Sequence, residues 1–233
     1  MTDLCELHLD SHSLTVMLRQ CLIRNEPLGS LLKDKCVCHI GSHDAIEMGI
    51  YQHFGCKGAY YFEANKYVFP NLLKRIGNTP GHKAFFSTLW SEAGHELDFH
   101  FYRDKTDGAG GLYTPDKFYN YIHDCPMLEE TIKVTTNTFN NFVNDGLLSI
   151  QDIVFLNLDV QGAELEVLKG ATQLLESPEL KFIWCEVSWD SVYKDAPLLP
   201  DINDFLKQHR FHHVGTRTDW EIHGDALYVS ERI

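Results

Sequence analysis

Cations are scarce in this chain. Its 233 residues carry 20 Lys plus Arg against 33 Asp plus Glu, a formal net charge of −13. A sequence-independent nucleic-acid binder needs cations to displace counterions from phosphates, and docking on an anionic membrane surface needs them too, so neither partner is expected. No apolar run reaches the roughly 18 residues of a membrane-spanning helix, so membrane insertion is not expected either. The N-terminus, MTDLCELHLD, has early acids and no apolar stretch, so no secretory signal is read and a cytoplasmic location is expected. Cysteine is thin and odd in number, seven in all, which suits a reducing compartment rather than a stapled secreted fold. Cys36 and Cys38 form CxC rather than CxxC and read as small core residues of a strand. Internal repeats, low-complexity tracts and long linkers are missing as well. With 44% hydrophobic and 23% charged residues the composition is globular, and the length suits one large domain.

Apolar periodicity orders the chain. Leu14, Met17, Leu18, Cys21, Leu22, Leu28, Leu31 and Leu32 lie mostly three and four residues apart, predicting a helix over 13–33 interrupted near Pro27 and Gly29. Residues 1–34 thus read as an N-terminal helical extension, and 35–233 as one compact domain. Strands are expected at 36–40, 59–62, 83–90, 153–158 and 182–187, with closing strands at 211–214 and 226–229. Helices are expected at 44–54, 67–76, 164–175 and 202–208. The middle is less regular: strands at 96–102 and 131–135 flank a Gly-rich loop at 107–114. Unbroken apolar strands alternating with helices predict a doubly wound, mostly parallel α/β sheet.

Ligands of such sheets bind at the carboxyl ends of the strands. Three strand ends carry informative chemistry. HIGSHDAIE (39–47) turns at Gly41 but lacks the later glycines of GxGxxG, which speaks against a dinucleotide pyrophosphate. Glu63 follows the next apolar run about twenty residues on, where an acid can accept hydrogen bonds from ribose hydroxyls. The pair fits a nucleoside without a pyrophosphate, such as S-adenosylmethionine. Asp159 closes the run FLNLD, at the mouth of the cleft. Glu164 opens the next helix, either as an acid favoured by the helix dipole or as a functional group.

In this order the segments resemble the FkbM family of S-adenosylmethionine-dependent methyltransferases. LDVQGAELEVLKGA carries the strongest likeness; IGSHDAIE, YFEAN, the Trp184–Val187 stretch, Tyr193 and GDALYV add to it, over roughly residues 36–230. The resemblance implies a Rossmann-like, seven-stranded class I methyltransferase fold. It also implies transfer of a methyl group to a hydroxyl, often that of a sugar in a glycan or glycoconjugate. By that resemblance the cofactor site comprises His39, Gly41, Ser42, His43, Glu47, Glu63, Asn65, Asp159 and Gln161. His39 stands where many methyltransferases place an acid that holds the methionine amino group, and Gly108 to Gly111 stand where relatives are often serine-rich.

Hydroxyl methylation calls for a general base. Asp159 is the first candidate, Glu186 the second and His43 a third. His123, Trp189 and Tyr193 are candidates for the acceptor, with Tyr113 and Tyr119 as further aromatics that could stack on a sugar. Asp159 and Glu186 could instead hold a divalent cation, a reading that is not favoured. The thirteen histidines lack the companions of a zinc site. Other acceptors (protein, lipid or small metabolite), or a non-catalytic scaffold, remain as alternative functions.

Overall fold

The computed structural model describes residues 14–23, 26–102, 105–106, 108, 110–116, 127–218 and 222–232. The leucine-rich start is not one helix. A helix spans Leu14–Gln20, then two short strands, β1 (Leu22–Ile23) and β2 (Glu26–Pro27), pair antiparallel, and a 3₁₀ turn follows at Leu28–Leu32. Pro27 has no N–H for a helical bond, so the chain folds back there instead of continuing. Leu14, Met17, Leu18, Cys21, Leu28 and Leu32 are nevertheless all buried, in one apolar cluster with Val37 and Tyr61 of the sheet.

The central sheet begins with β3 (Cys36–Ile40), β4 (Gly58–Glu63) and β5 (His82–Phe86), parallel neighbours in that order. Every residue of β3 is buried. Its odd and even positions serve two cores: Cys36, Cys38 and Ile40 join one cluster and Val37 the other. That double burial explains why CVCHI shows no polar alternation. Helices Met48–His53 and Phe69–Ile76 cover one face, through Met48, Tyr51, Leu72 and Ile76.

After β5 the chain leaves the sheet. The expected strand over 83–90 is cut at Ser87, whose N–H bonds to the Glu63 carbonyl. β6 (Thr88–Leu89) then joins β7 (Glu96–Tyr102) and β8 (Leu128–Asn137) in a separate three-stranded sheet, order β6-β8-β7. Helix Phe139–Asn144, capped by the Thr138 side chain, leads back to the main sheet.

There β9 (Ile153–Leu158) pairs with β3, and β10 (Phe182–Ser188) with β9, both parallel. β11 (Phe211–Thr218) and β12 (His223–Ser230) close the edge, β12 antiparallel to both β10 and β11. The seven-stranded order is β11-β12-β10-β9-β3-β4-β5. Helices Glu164–Lys169, Thr172–Leu175 and Leu199–Gln208 cover the second face, with Val167, Leu168, Ile202 and Leu206 in its core. Strand order reverses between β3 and β9, which sets a crevice at their carboxyl ends.

Candidate functional site

The crevice holds a cavity of about 370 Å³, within the range of small-molecule sites. Gly41 turns the chain out of β3 with φ +75°. Its position has no room for a side chain, because a Cβ there would stand 1.6 Å from the Asp159 carbonyl oxygen. His43 and Ala45 also hold left-handed backbone, at φ 49° and 55°, and Gln161 does so at 56°. Non-glycine residues rarely adopt this conformation, and such residues gather at binding sites.

Glu63 ends β4 inside this turn. One carboxylate oxygen accepts the His43 N–H (2.7 Å) and the other the Asn65 N–H (2.6 Å). Burial raises its pKa, while those N–H donors and the nearby His43 charge oppose the rise. Each carboxylate oxygen has a second lone pair for a ligand hydroxyl. Asn65 spends its side chain on the chain itself, donating to the Lys105 carbonyl and accepting from the Tyr67 N–H. The His43 ring spans Thr106 O (2.8 Å) and Asp44 (3.4 Å). Burial works against its cation, but these contacts and the Glu63 charge leave its pKa raised.

Across the cavity, Asp159, Glu164 and Glu186 bring carboxylate oxygens within 4.8 Å of one another. Gln161 ties two of them together, its amide nitrogen donating to Asp159 (2.6 Å) and Glu186 (3.3 Å). Tyr193 donates its hydroxyl to the Gln161 amide oxygen. Glu164 accepts the N–H of Val160 (2.8 Å) and of Gly162 (3.3 Å), shaping the turn after β9. All three acids are raised in pKa, first by desolvation. Glu164 reaches about 7, and Glu186 rises well above the usual carboxylate range, pushed further by the Asp159 charge. Asp159 is exposed by surface area, yet that exposure is to a cavity walled by protein, which is why burial still dominates its titration.

Of the residues expected from sequence, Gly41, His43, Glu63, Asn65, Asp159, Gln161, Glu186 and Tyr193 line this cavity. Four others stand elsewhere. His39 lies below the cavity, buried with its ring against Tyr51 OH (3.1 Å) and the Asn157 amide (3.2 Å). Burial lowers its pKa to about 3, so it is a neutral packing group. Ser42 is buried and donates to the Phe62 carbonyl. Glu47 stands 4.0 Å from the His39 ring, outside the cavity wall, with its pKa raised by burial. Trp189 packs half-buried against the main core. His123 and Tyr119 fall outside the described residues. Tyr113 packs beside Val192 and Tyr193, not on the cavity itself. The wall also contains residues the sequence did not single out, among them Thr88, Phe99, Val192 and His223. Thr88 and Phe99 come from the second sheet, Val192 from the segment after β10 and His223 from the last strand, and their only signal is tertiary contact.

The methyltransferase FkbM domain family matches residues 35–212. No curated protein matches the chain significantly. Among solved structures, the methyltransferase FkbM of Methylobacillus flagellatus KT is similar at 14% identity and a TM-score of 0.51. That alignment covers 84% of this chain but only 43% of that one, so this chain spans under half of that protein's length. Magnesium protoporphyrin IX methyltransferase of Synechocystis PCC 6803, solved with bound SAM, is similar at 9% identity and TM-score 0.47, over 88% and 73% of the two chains. TrmK of M. capricolum, in complex with S-adenosylhomocysteine, gives 11%, 0.46, 90% and 69%. At 14% identity the likeness to the Methylobacillus protein is one of fold. The family match covers most of the chain, and the seven-stranded sheet has the mixed, mostly parallel architecture of class I methyltransferases. This protein belongs to the FkbM methyltransferase family.

Proposed function

We propose that the chain is an S-adenosylmethionine-dependent O-methyltransferase whose acceptor is a hydroxyl, with a sugar of a glycan or glycoconjugate as the acceptor class. The observation that carries this reading is the pairing, in one cavity, of a nucleoside-type end with a carboxylate end. Gly41 and Glu63 form the first, and the linked acids Asp159 and Glu186 form the second.

The residues fit the cofactor. The Gly41 turn packs directly on Asp159 at the cavity wall, and beside it Glu63 offers two oxygens held by the backbone donors of His43 and Asn65, in the place where an acid accepts ribose hydroxyls. When bound, S-adenosylmethionine supplies a methyl group activated by its sulfonium. The chain's own work is positioning and proton handling. Glu63 and the 41–45 turn orient the nucleoside, an effect of proximity and alignment. Asp159 accepts the acceptor hydroxyl's proton at its carboxylate. A base whose pKa burial has raised is the stronger for it, and such a base contributes about 10²–10⁴-fold. Gln161 and Tyr193 hold Asp159 to one geometry. Leu89, Phe99 and Val192 supply apolar wall that limits water.

The test is incubation of the purified protein with methyl-labelled S-adenosylmethionine and panels of oligosaccharides, peptides and lipids. Label on a sugar oxygen supports the reading. Label on peptides or lipids alone would overturn the acceptor class, and failure to bind the cofactor would overturn the whole reading.

A further inference from the structure

Among the described residues, the cavity wall at the ends of β9 and β10 gathers carboxyl groups that no Lys or Arg answers. Asp159, Glu164 and Glu186 converge there. Asp225, opposite Glu186 in register, is matched from behind by Arg217 (3.1 Å). Among the described residues no Lys or Arg lines the cavity; its basic groups are His43, bonded at the Glu63 turn, and His223. Gln161 ties Asp159 to Glu186, and two backbone N–H groups hold Glu164. Carboxylates gathered in a desolvated wall without a cation are unfavourable, and a positive ligand charge relieves them. Asp159 is also the residue packed directly on the Gly41 turn, so this wall adjoins the cofactor end of the cavity.

We propose that this carboxylate wall reads the charge on the cofactor's sulfur, binding the sulfonium of S-adenosylmethionine in preference to the neutral thioether of S-adenosylhomocysteine. The inference rests on the S-adenosylmethionine reading above. Its consequence is release: once the methyl group has left, the charge that favoured binding is gone, and the spent cofactor is held less tightly than the fresh one.

The test is titration calorimetry with S-adenosylmethionine, S-adenosylhomocysteine and sinefungin, in which a protonated amine stands in place of the sulfonium. EDTA in every titration keeps metal ions off the acids. Wild type should bind S-adenosylmethionine and sinefungin at least about tenfold tighter than S-adenosylhomocysteine, as expected for charge attraction across a partly desolvated site. Asp159→Asn should shrink that preference to within about threefold, and Glu186→Gln, which replaces a carboxyl whose pKa burial holds well above the usual range, should shrink it less; unchanged S-adenosylhomocysteine affinity in each also shows that the variant is folded. The wild-type comparison stands even if one variant fails to fold. Equal wild-type affinities would overturn the inference and leave the cofactor reading intact. So would sinefungin grouping with S-adenosylhomocysteine, since that would credit the methyl group rather than the charge. Unchanged preference in both variants would credit some other part of the wall and overturn the assignment. Binding of none of the three would overturn the inference and the cofactor reading together.

Discussion

At the scale of single residues, Gly41 and Asp159 constrain each other. A Cβ at 41 would meet the Asp159 carbonyl at 1.6 Å, and φ +75° already disfavours any side chain. Gly41→Ala should therefore lose about 2–5 kcal/mol of stability, read from chemical denaturation, with cofactor affinity falling alongside. Asp159→Asn keeps the shape of the side chain and removes the base. Its melting temperature should stay close to wild type while turnover drops by about 10²–10⁴-fold; full activity would remove Asp159 from the reaction. The same cluster bears on metal dependence. Gln161 already points its amide N–H donors at both Asp159 and Glu186, and a donor in that place repels a divalent cation rather than ligating it. Activity should survive EDTA, and its loss with recovery on adding Mg²⁺ would reverse that expectation.

At the scale of elements, the clamp beneath the cavity joins three of them. Asn157 of β9 donates toward the His39 ring of β3 and to Tyr51 OH (3.0 Å) of helix Met48–His53. Position 39 lies two residues before the Gly41 turn, which in sequence places it near the cofactor. Strand alternation puts its side chain on the Val37 face instead, under the helix. Replacing Asn157 with Leu strands buried polar atoms of His39 and Tyr51 and should cost about 1–3 kcal/mol. Since none of the three lines the cavity, S-adenosylhomocysteine affinity should change by less than about threefold in calorimetry; a larger loss would make the clamp part of the binding site. The second sheet is an element-scale matter too. β6 is only Thr88–Leu89, too short for any periodicity, yet both residues face the cavity.

At the scale of the whole molecule, the buried acids make stability depend on pH. Glu164 is 4% exposed and its pKa rises from 4.5 to about 7. A carboxyl raised by folding binds its proton more tightly folded than unfolded. Its stabilising share is therefore complete below about 4.5 and is lost as pH climbs toward 7. Asp159 and Glu186 shift in the same direction. The melting temperature should fall between about pH 5 and pH 8, and Glu164→Gln, which keeps the oxygen that accepts the Val160 N–H, should flatten that slope. A slope unchanged by the substitution would place the dependence elsewhere. No helix among the described residues is long and apolar enough to cross a membrane.

Sequence alone determined the parallel strands and the acids at their ends. The runs CVCHI and IVFLNL are apolar at every or nearly every position because both faces of a central strand are covered, and a carboxylate directly after such a run stands at its solvent end. Glu63 and Asp159 were legible for that reason, and the signature around Gln161 made the family recognisable. Tertiary structure decided which of the nearby polar residues face the cavity. His39, Ser42 and Glu47 flank Gly41 in sequence, yet none of them lines the cavity, while His223 arrives from the last strand without a local signal. It also decided the chemistry of the acids. Asp159, Glu164 and Glu186 are separated along the chain, and only their convergence in one desolvated wall raises their pKa values.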